Sequence, residues 1–232
     1  MSARRTGERS KTARPGASTT ARPAPTAPAL ARRTPTQQRS RERFERILAC
    51  ATEVMAEKGS EAFRMSDIVE RTGIAFGSLY QYFPDKTSII GTLAERYNAI
   101  SHACVRRDLT AMTRHADLHS TLGRITDGYY RMFLEEPVMR DIWQATQADR
   151  ALQELDSADV AFLASLLSDA LRPLAPTVPD ETLVVFAQTM MILIAAAVRH
   201  AIALPPKEGR RALALFKRLL PKDLSALEDQ VV

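Results

Sequence analysis

From Thr36 to the C-terminus the apolar residues of this chain recur every three or four positions, and they never alternate over a useful length. That regularity confines the fold to packed helices, since a half-buried strand needs period two. Phe44, Ile47, Leu48, Ala51 and Met55 open the pattern, and Gly59 is placed to end that helix as a C-cap. A short helix is predicted over 65–72, with Ile68 and Val69 inward, and another over 76–83 before Pro84. Asp85 can cap a long helix, in which Ile89, Ile90, Leu93, Tyr97, Ile100 and Cys104 keep one stripe. Further helices are expected near 117–134, 137–148, 151–171, 180–204 and 207–220, punctuated by Pro137, Pro173, Pro176, Pro179, Pro205 and Pro206.

Charge is unevenly spread. Residues 1–43 hold eleven Lys and Arg against two acids, while the whole chain of 232 residues has a formal net charge of +5. The front therefore suits a polyanion and the acidic remainder does not. Residues 1–35 read as a disordered basic tail, in which five prolines argue against the amphipathic helix of a transit peptide. Arg32, Arg33, Arg39, Arg41 and Arg43 are solvated there or touch phosphate. Two distant cysteines, Cys50 and Cys104, indicate neither a disulfide framework nor a zinc site, and a reducing, cytoplasmic setting fits.

The stretch Gly73 to Lys86, GIAFGSLYQYFPDK, carries the chemistry. Helix, glycine turn and short helix is the layout of a helix-turn-helix, whose second member lies in the DNA major groove. Gly73 allows the turn. Gly77 removes a side chain where backbone must approach the groove. Ala75, Phe76, Gly77 and Ser78 lie at the end nearest base edges, with Phe76 suited to a thymine methyl. Tyr80, Tyr82 and Lys86 supply hydroxyls and a charge for phosphates. Leu79 and Phe83 are inward anchors.

The segment RMSDIVERTGIAFGSLYQYFPDKTSII resembles the DNA-binding domain of the TetR family of bacterial transcription regulators over about residues 40–97. The resemblance implies groove contacts from Ala75, Phe76 and Ser78 and phosphate contacts from Tyr80, Tyr82 and Lys86, with Arg64 and Ser66 near the start of the preceding helix. Arg64 stands where a capping Ser or Thr is common, and Phe76 where a small or polar residue is common. The expected fold is all-α: a helix-turn-helix domain over 36–97, then a helical bundle over 98–232 for dimerisation and ligand binding.

A reader with one short recognition helix gains by dimerising on a palindromic double-stranded operator. The broad apolar faces of Val160–Leu171 and Leu183–Leu204 would pair across a two-fold axis as a homodimer. Leu183–Leu204 approaches membrane-spanning length, but Gln188, Thr189, Arg199 and His200 favour an interface helix over a membrane one. The resemblance also implies a pocket for a small-molecule effector, with Tyr97, Cys104, Tyr129, Met132, Phe133, Trp143 and Gln147 as candidate lining residues; taken singly, each reads first as ordinary core. His115 and His119 share a turn without a third ligand, so no metal is expected, and no cofactor is implied. GxSxG, P-loop, HExxH and dinucleotide fingerprints are absent. An enzyme or a helical adaptor is the alternative class, and repression is an implication of the resemblance.

Overall fold

The computed structural model describes residues 38–228, and the expected basic tail over 1–35 lies outside them. Ten α-helices follow one another, with no strand among the described residues: α1 (Gln38–Ala62), α2 (Met65–Thr72), α3 (Phe76–Tyr82), α4 (Lys86–Thr110), α5 (Leu118–Glu135), α6 (Val138–Ala148), α7 (Arg150–Leu171), α8 (Asp180–Ala203), α9 (Pro206–Leu219) and α10 (Ser225–Glu228). Three-residue 3₁₀ turns precede α5 and follow α7.

Local chemistry explains the boundaries. The backbone of α1 breaks at Gly59, at φ 80° and ψ 162°, a conformation that costs little only without a Cβ. Asp85 caps α4 by accepting a hydrogen bond from Ser88 N at 2.7 Å. Asp149 caps α7 by accepting from Ala151 N and Leu152 N at 2.9 and 3.3 Å.

Three apolar cores result. The first gathers Phe44, Ile47, Leu48, Val54 and Met55 of α1 with Ile68, Leu79, Phe83, Ile89 and Leu93, and it also takes in Val138, Ile142 and Leu152. Helix α6 and the start of α7 thus complete the core of the first four helices. The second core lies among α4, α5, α7 and α8, around Leu109, Leu122, Leu167 and Leu183. The third joins Tyr130, Phe133 and Met139 to Val198, Ile202 and Leu213.

Helix α4 runs unbroken past residue 97, and its stripe turns outward partway: Ile100 is exposed, contrary to the inward place its spacing suggests. Helix α8 is long and apolar enough to cross a membrane by length and composition. Its inner face, including Leu183, Ala187, Met191, Ile194 and Val198, is buried, while Val184, Val185, Ile192 and Leu193 form an exposed apolar stripe.

Candidate nucleic-acid interface and inner cavity

Helix α2 begins at Arg64, which lacks a capping side chain; Asp67 instead reaches back to accept from Arg64 N at 2.8 Å. Lys58 lies 2.7 Å from the other oxygen of Asp67, and these donors hold the carboxyl below the usual carboxylate range, the Lys58 bond most strongly. Ser66 is half-buried on the first turn and Arg64 is exposed. Gly73 ends α2 at φ 66°, its N–H returning to Val69 O at 2.9 Å. The chain then turns into α3 through exposed Ala75.

Helix α3 has two sharply different faces. Leu79 is fully buried, Tyr82 is 7% exposed, and Phe83 follows at the C-cap, also fully buried. Phe83 stacks on Phe44 at 4.9 Å, and Tyr82 meets the same ring edge-on at 6.2 Å. On the other face Phe76 and Tyr80 are 46% and 48% exposed, their rings 6.1 Å apart and nearly parallel. Residues four apart share a helix face and residues two apart do not, so Tyr80 and Tyr82 point in different directions. Gly77, next to Phe76, is exposed, and a Cβ built there would meet nothing within 4 Å. Ser78 is half-buried beside it.

Two expected phosphate ligands make polar contacts within the protein. The Tyr82 hydroxyl lies 2.8 Å from Ser40 Oγ and ties α3 to the first turn of α1. The Lys86 ammonium donates to Ser60 O and Glu61 O at 3.1 and 3.3 Å, capping the carbonyls beside the Gly59 break. What remains presented is Ala75, Phe76, Gly77, Ser78 and Tyr80. Near them the Ser40 bond brings the start of α1, with exposed Arg39, Arg41 and Arg43.

Inside the bundle a cavity of about 80 Å³ opens among α4, α5, α7 and α8. Tyr97, Cys104, Tyr129 and Met132 line it. Phe133 and Trp143 line an adjoining space of about 40 Å³, which shares Tyr97 and Tyr129. Gln147 lines neither; its amide donates to Thr146 Oγ1 at 3.3 Å. Burial pushes the Tyr129 hydroxyl up to about 12, and burial with the Glu136 carboxylate 3.0 Å away does the same to Tyr97. Sequence reasoning missed the polar lining, Asp108, Asp156, Asp159 and Arg199. Asp156 and Asp159 stand three apart on the partly apolar α7, a spacing visible in the sequence. His119 Nδ1 lies 3.2 Å from Leu220 O, and among the described residues no three His, Cys, Asp or Glu side chains group to hold a metal.

Two family descriptions match the chain: "Bacterial regulatory proteins, tetR family" over residues 47–93, and "Tetracyclin repressor-like, C-terminal domain" over residues 116–228. The chain belongs to the TetR family. Among curated relatives, the HTH-type transcriptional regulator YvdT of Bacillus subtilis, itself uncharacterized, is 42% identical over 60 residues, 26% of this chain and 30% of that one. The HTH-type transcriptional repressor KstR of Mycobacterium tuberculosis is 27% identical over 124 residues, 50% of this chain and 56% of the relative. The chain thus spans from under a third to just over half of the length of these relatives.

Solved TetR-type structures share the fold. A TetR-family regulator from Pectobacterium atrosepticum superposes with a TM-score of 0.61 at 19% identity, covering 80% of this chain and 96% of the other. The SmeT–triclosan complex gives 0.57 at 19% identity over 84% and 95% of the two chains. FadR of Bacillus subtilis in complex with stearoyl-CoA gives 0.57 at 15% identity, over 77% and 100%.

Proposed function

We propose that this protein is a sequence-specific DNA-binding repressor that acts as a homodimer on a palindromic operator and releases it when a small molecule enters the cavity. The observation that carries this reading is the two-faced α3. Leu79 and Phe83 anchor it, and it offers Phe76, Gly77, Ser78 and Tyr80 outward. An exposed phenylalanine stacked on an exposed tyrosine beside a glycine with no internal role suits a surface that meets a major groove. The reading carries a cytoplasmic location with it. Similar proteins include named repressors, which supports repression here.

Dimerisation is supported by the exposed apolar residues Val184, Val185, Ile192 and Leu193 on one face of α8, with Gln188 and Thr189 between the two pairs, since exposed apolar surface grouped in this way suits an interface. Two protomers joined there present two copies of α3 to successive half-sites. Helices α4 and α6 link cavity to reader. Tyr97 and Met139 line the cavity, while Ile89 of α4 and Ile142 of α6 sit in the core that backs α3. A ligand that favours another arrangement of those helices weakens DNA binding, and by linkage DNA weakens the ligand's binding by the same factor.

The test is selection from a randomised duplex library followed by anisotropy titration at several salt concentrations. A palindromic site bound with steep salt dependence is expected. Phe76→Ala should change the selected sequence at one position per half-site without lowering thermal stability. Selection that yields no preferred sequence would reject the reading.

A further inference from the structure

The cavity's polar groups have a sign. Asp108, Asp156 and Asp159 line it, against the single guanidinium of Arg199. Arg199 is not ion-paired with any of them among the described residues; its guanidinium sits 5.3 Å over the Trp143 ring instead. Asp159 lies 2.5 Å from His102 Nε2, and Asp108 lies 3.3 Å from the Arg107 guanidinium. Asp156 has neither a hydrogen bond nor an ion pair among the described residues, although it lines both the cavity and the adjoining space. Asp156 and Asp159 are like charges one turn apart on α7, an unfavourable placement that His102 relieves at Asp159 and that a cation beside Asp156 would relieve further. Burial raises the pKa of Asp159, the His102 imidazole opposes that rise, and Asp156 adds a smaller push upward.

A second demand comes from the adjoining space. Trp143 Nε1 is buried without a partner, the one such side-chain atom found among the described residues, on a ring that lines the same adjoining space as Asp156. An orphaned buried donor is costly, and a ligand oxygen would satisfy it. Val160, Leu163, Met191 and Ile194 line the cavity with Asp156, and the rings of Tyr97 and Tyr129 line both spaces, surfaces that suit a hydrocarbon body and a cation's apolar neighbourhood.

We infer that the ligand is an organic cation with an apolar or aromatic body, its ammonium held by Asp156 beside Asp159 and an ether or carbonyl oxygen accepting a hydrogen bond from Trp143 Nε1. This rests on the reading of the cavity as the effector site. It adds the ligand's charge, which the family fold does not fix.

Trp143 is the chain's one tryptophan, so its emission reports occupancy directly. The experiment titrates the full chain with three compounds on one skeleton: phenoxybutylammonium, phenoxybutanol and phenoxybutyrate. The cation should bind at least about ten-fold more tightly than either other compound, as a charge-assisted hydrogen bond implies. Asp156→Asn should remove most of that advantage while leaving binding of the alcohol unchanged, and Arg199→Gln should not weaken the cation. Preference for phenoxybutyrate would overturn the charge assignment while leaving the cavity an effector site. Failure of all three compounds to shift Trp143 emission or the melting temperature would overturn the inference together with the cavity reading. Both outcomes are independent of whether the protein binds DNA.

Discussion

The hydroxyl of Tyr82 and Oγ of Ser40 lie 2.8 Å apart, fastening the end of the recognition helix to the start of α1. Tyr82 thus holds α3 in place from behind. Tyr82→Phe should lower unfolding stability by about 1 kcal/mol, the usual net value of such a bond. Its operator affinity should fall with no change in salt slope. Tyr80→Phe should leave stability unchanged. Denaturant titration of both variants beside their anisotropy curves checks the distinction.

Gly77 has open space around its missing side chain and no positive φ, so nothing inside the protein calls for glycine there. Gly77→Ala should raise stability by up to about 1 kcal/mol through helix propensity. The same methyl should weaken operator binding by about ten-fold if the backbone at this point lies against the duplex. Thermal melts and operator titrations of one preparation would show the opposed signs, and unchanged DNA binding would count against close approach at this residue.

Asp67 links Lys58 to the start of α2, and its carboxyl has a depressed pKa in the folded protein. A depressed folded pKa means that the ionised form is stabilised by folding. Its contribution is present above the unfolded value of about 4 and is lost as pH falls through the folded value. Asp67→Ala should cost about 1 kcal/mol at neutral pH, chiefly the cap. Urea titrations from neutral pH down through the acid range should show that difference shrinking; a constant difference would argue against a charge-dependent role.

The α8 stripe predicts the assembly state. Val185→Glu combined with Ile192→Glu places charge on two exposed positions without touching the buried face of the helix. The variant should remain folded by circular dichroism and sediment as a monomer. Its operator affinity should fall by about a hundred-fold or more, as loss of the second half-site implies. A variant that still sediments as a dimer would move the interface elsewhere.

Gly128 lines the cavity, and a Cβ there meets nothing within 4 Å. Gly128→Leu should therefore fill the space without straining the fold. Phenoxybutylammonium should no longer shift Trp143 emission, while operator binding survives. Loss of folding on this substitution would show that the space is smaller than the structure has it.

Helix positions were legible because prolines and glycines punctuate a steady period, and the termini of α6 and α7 fall within a residue or two of their expected places. The two faces of α3 were legible in principle from spacing alone: Phe76 with Tyr80, and Leu79 with Tyr82 and Phe83, are four-apart and three-apart sets. Grouping Tyr80 with Tyr82 by their shared hydroxyls passed over that spacing. The role of Lys86 could not be read locally, since its acceptors Ser60 and Glu61 belong to a helix end 25 residues upstream, exposed by the break at Gly59. Tyr97 and Tyr129 were among the lining residues expected of a pocket that only the family resemblance implied, and both line the cavity. Its acids were not, because on a helix wheel Asp156 and Asp159 look like a solvated edge until α4 and α8 close over them.

Val138 and Ile142 complete the core behind the recognition helix although they lie more than forty residues beyond it in the chain. Reader and sensor therefore cannot be cut apart at a junction near residue 97: the severed front piece would carry an uncovered greasy notch. Chimeras that graft this operator specificity onto another regulator's sensing half would need to transplant that patch of α6 along with the first four helices.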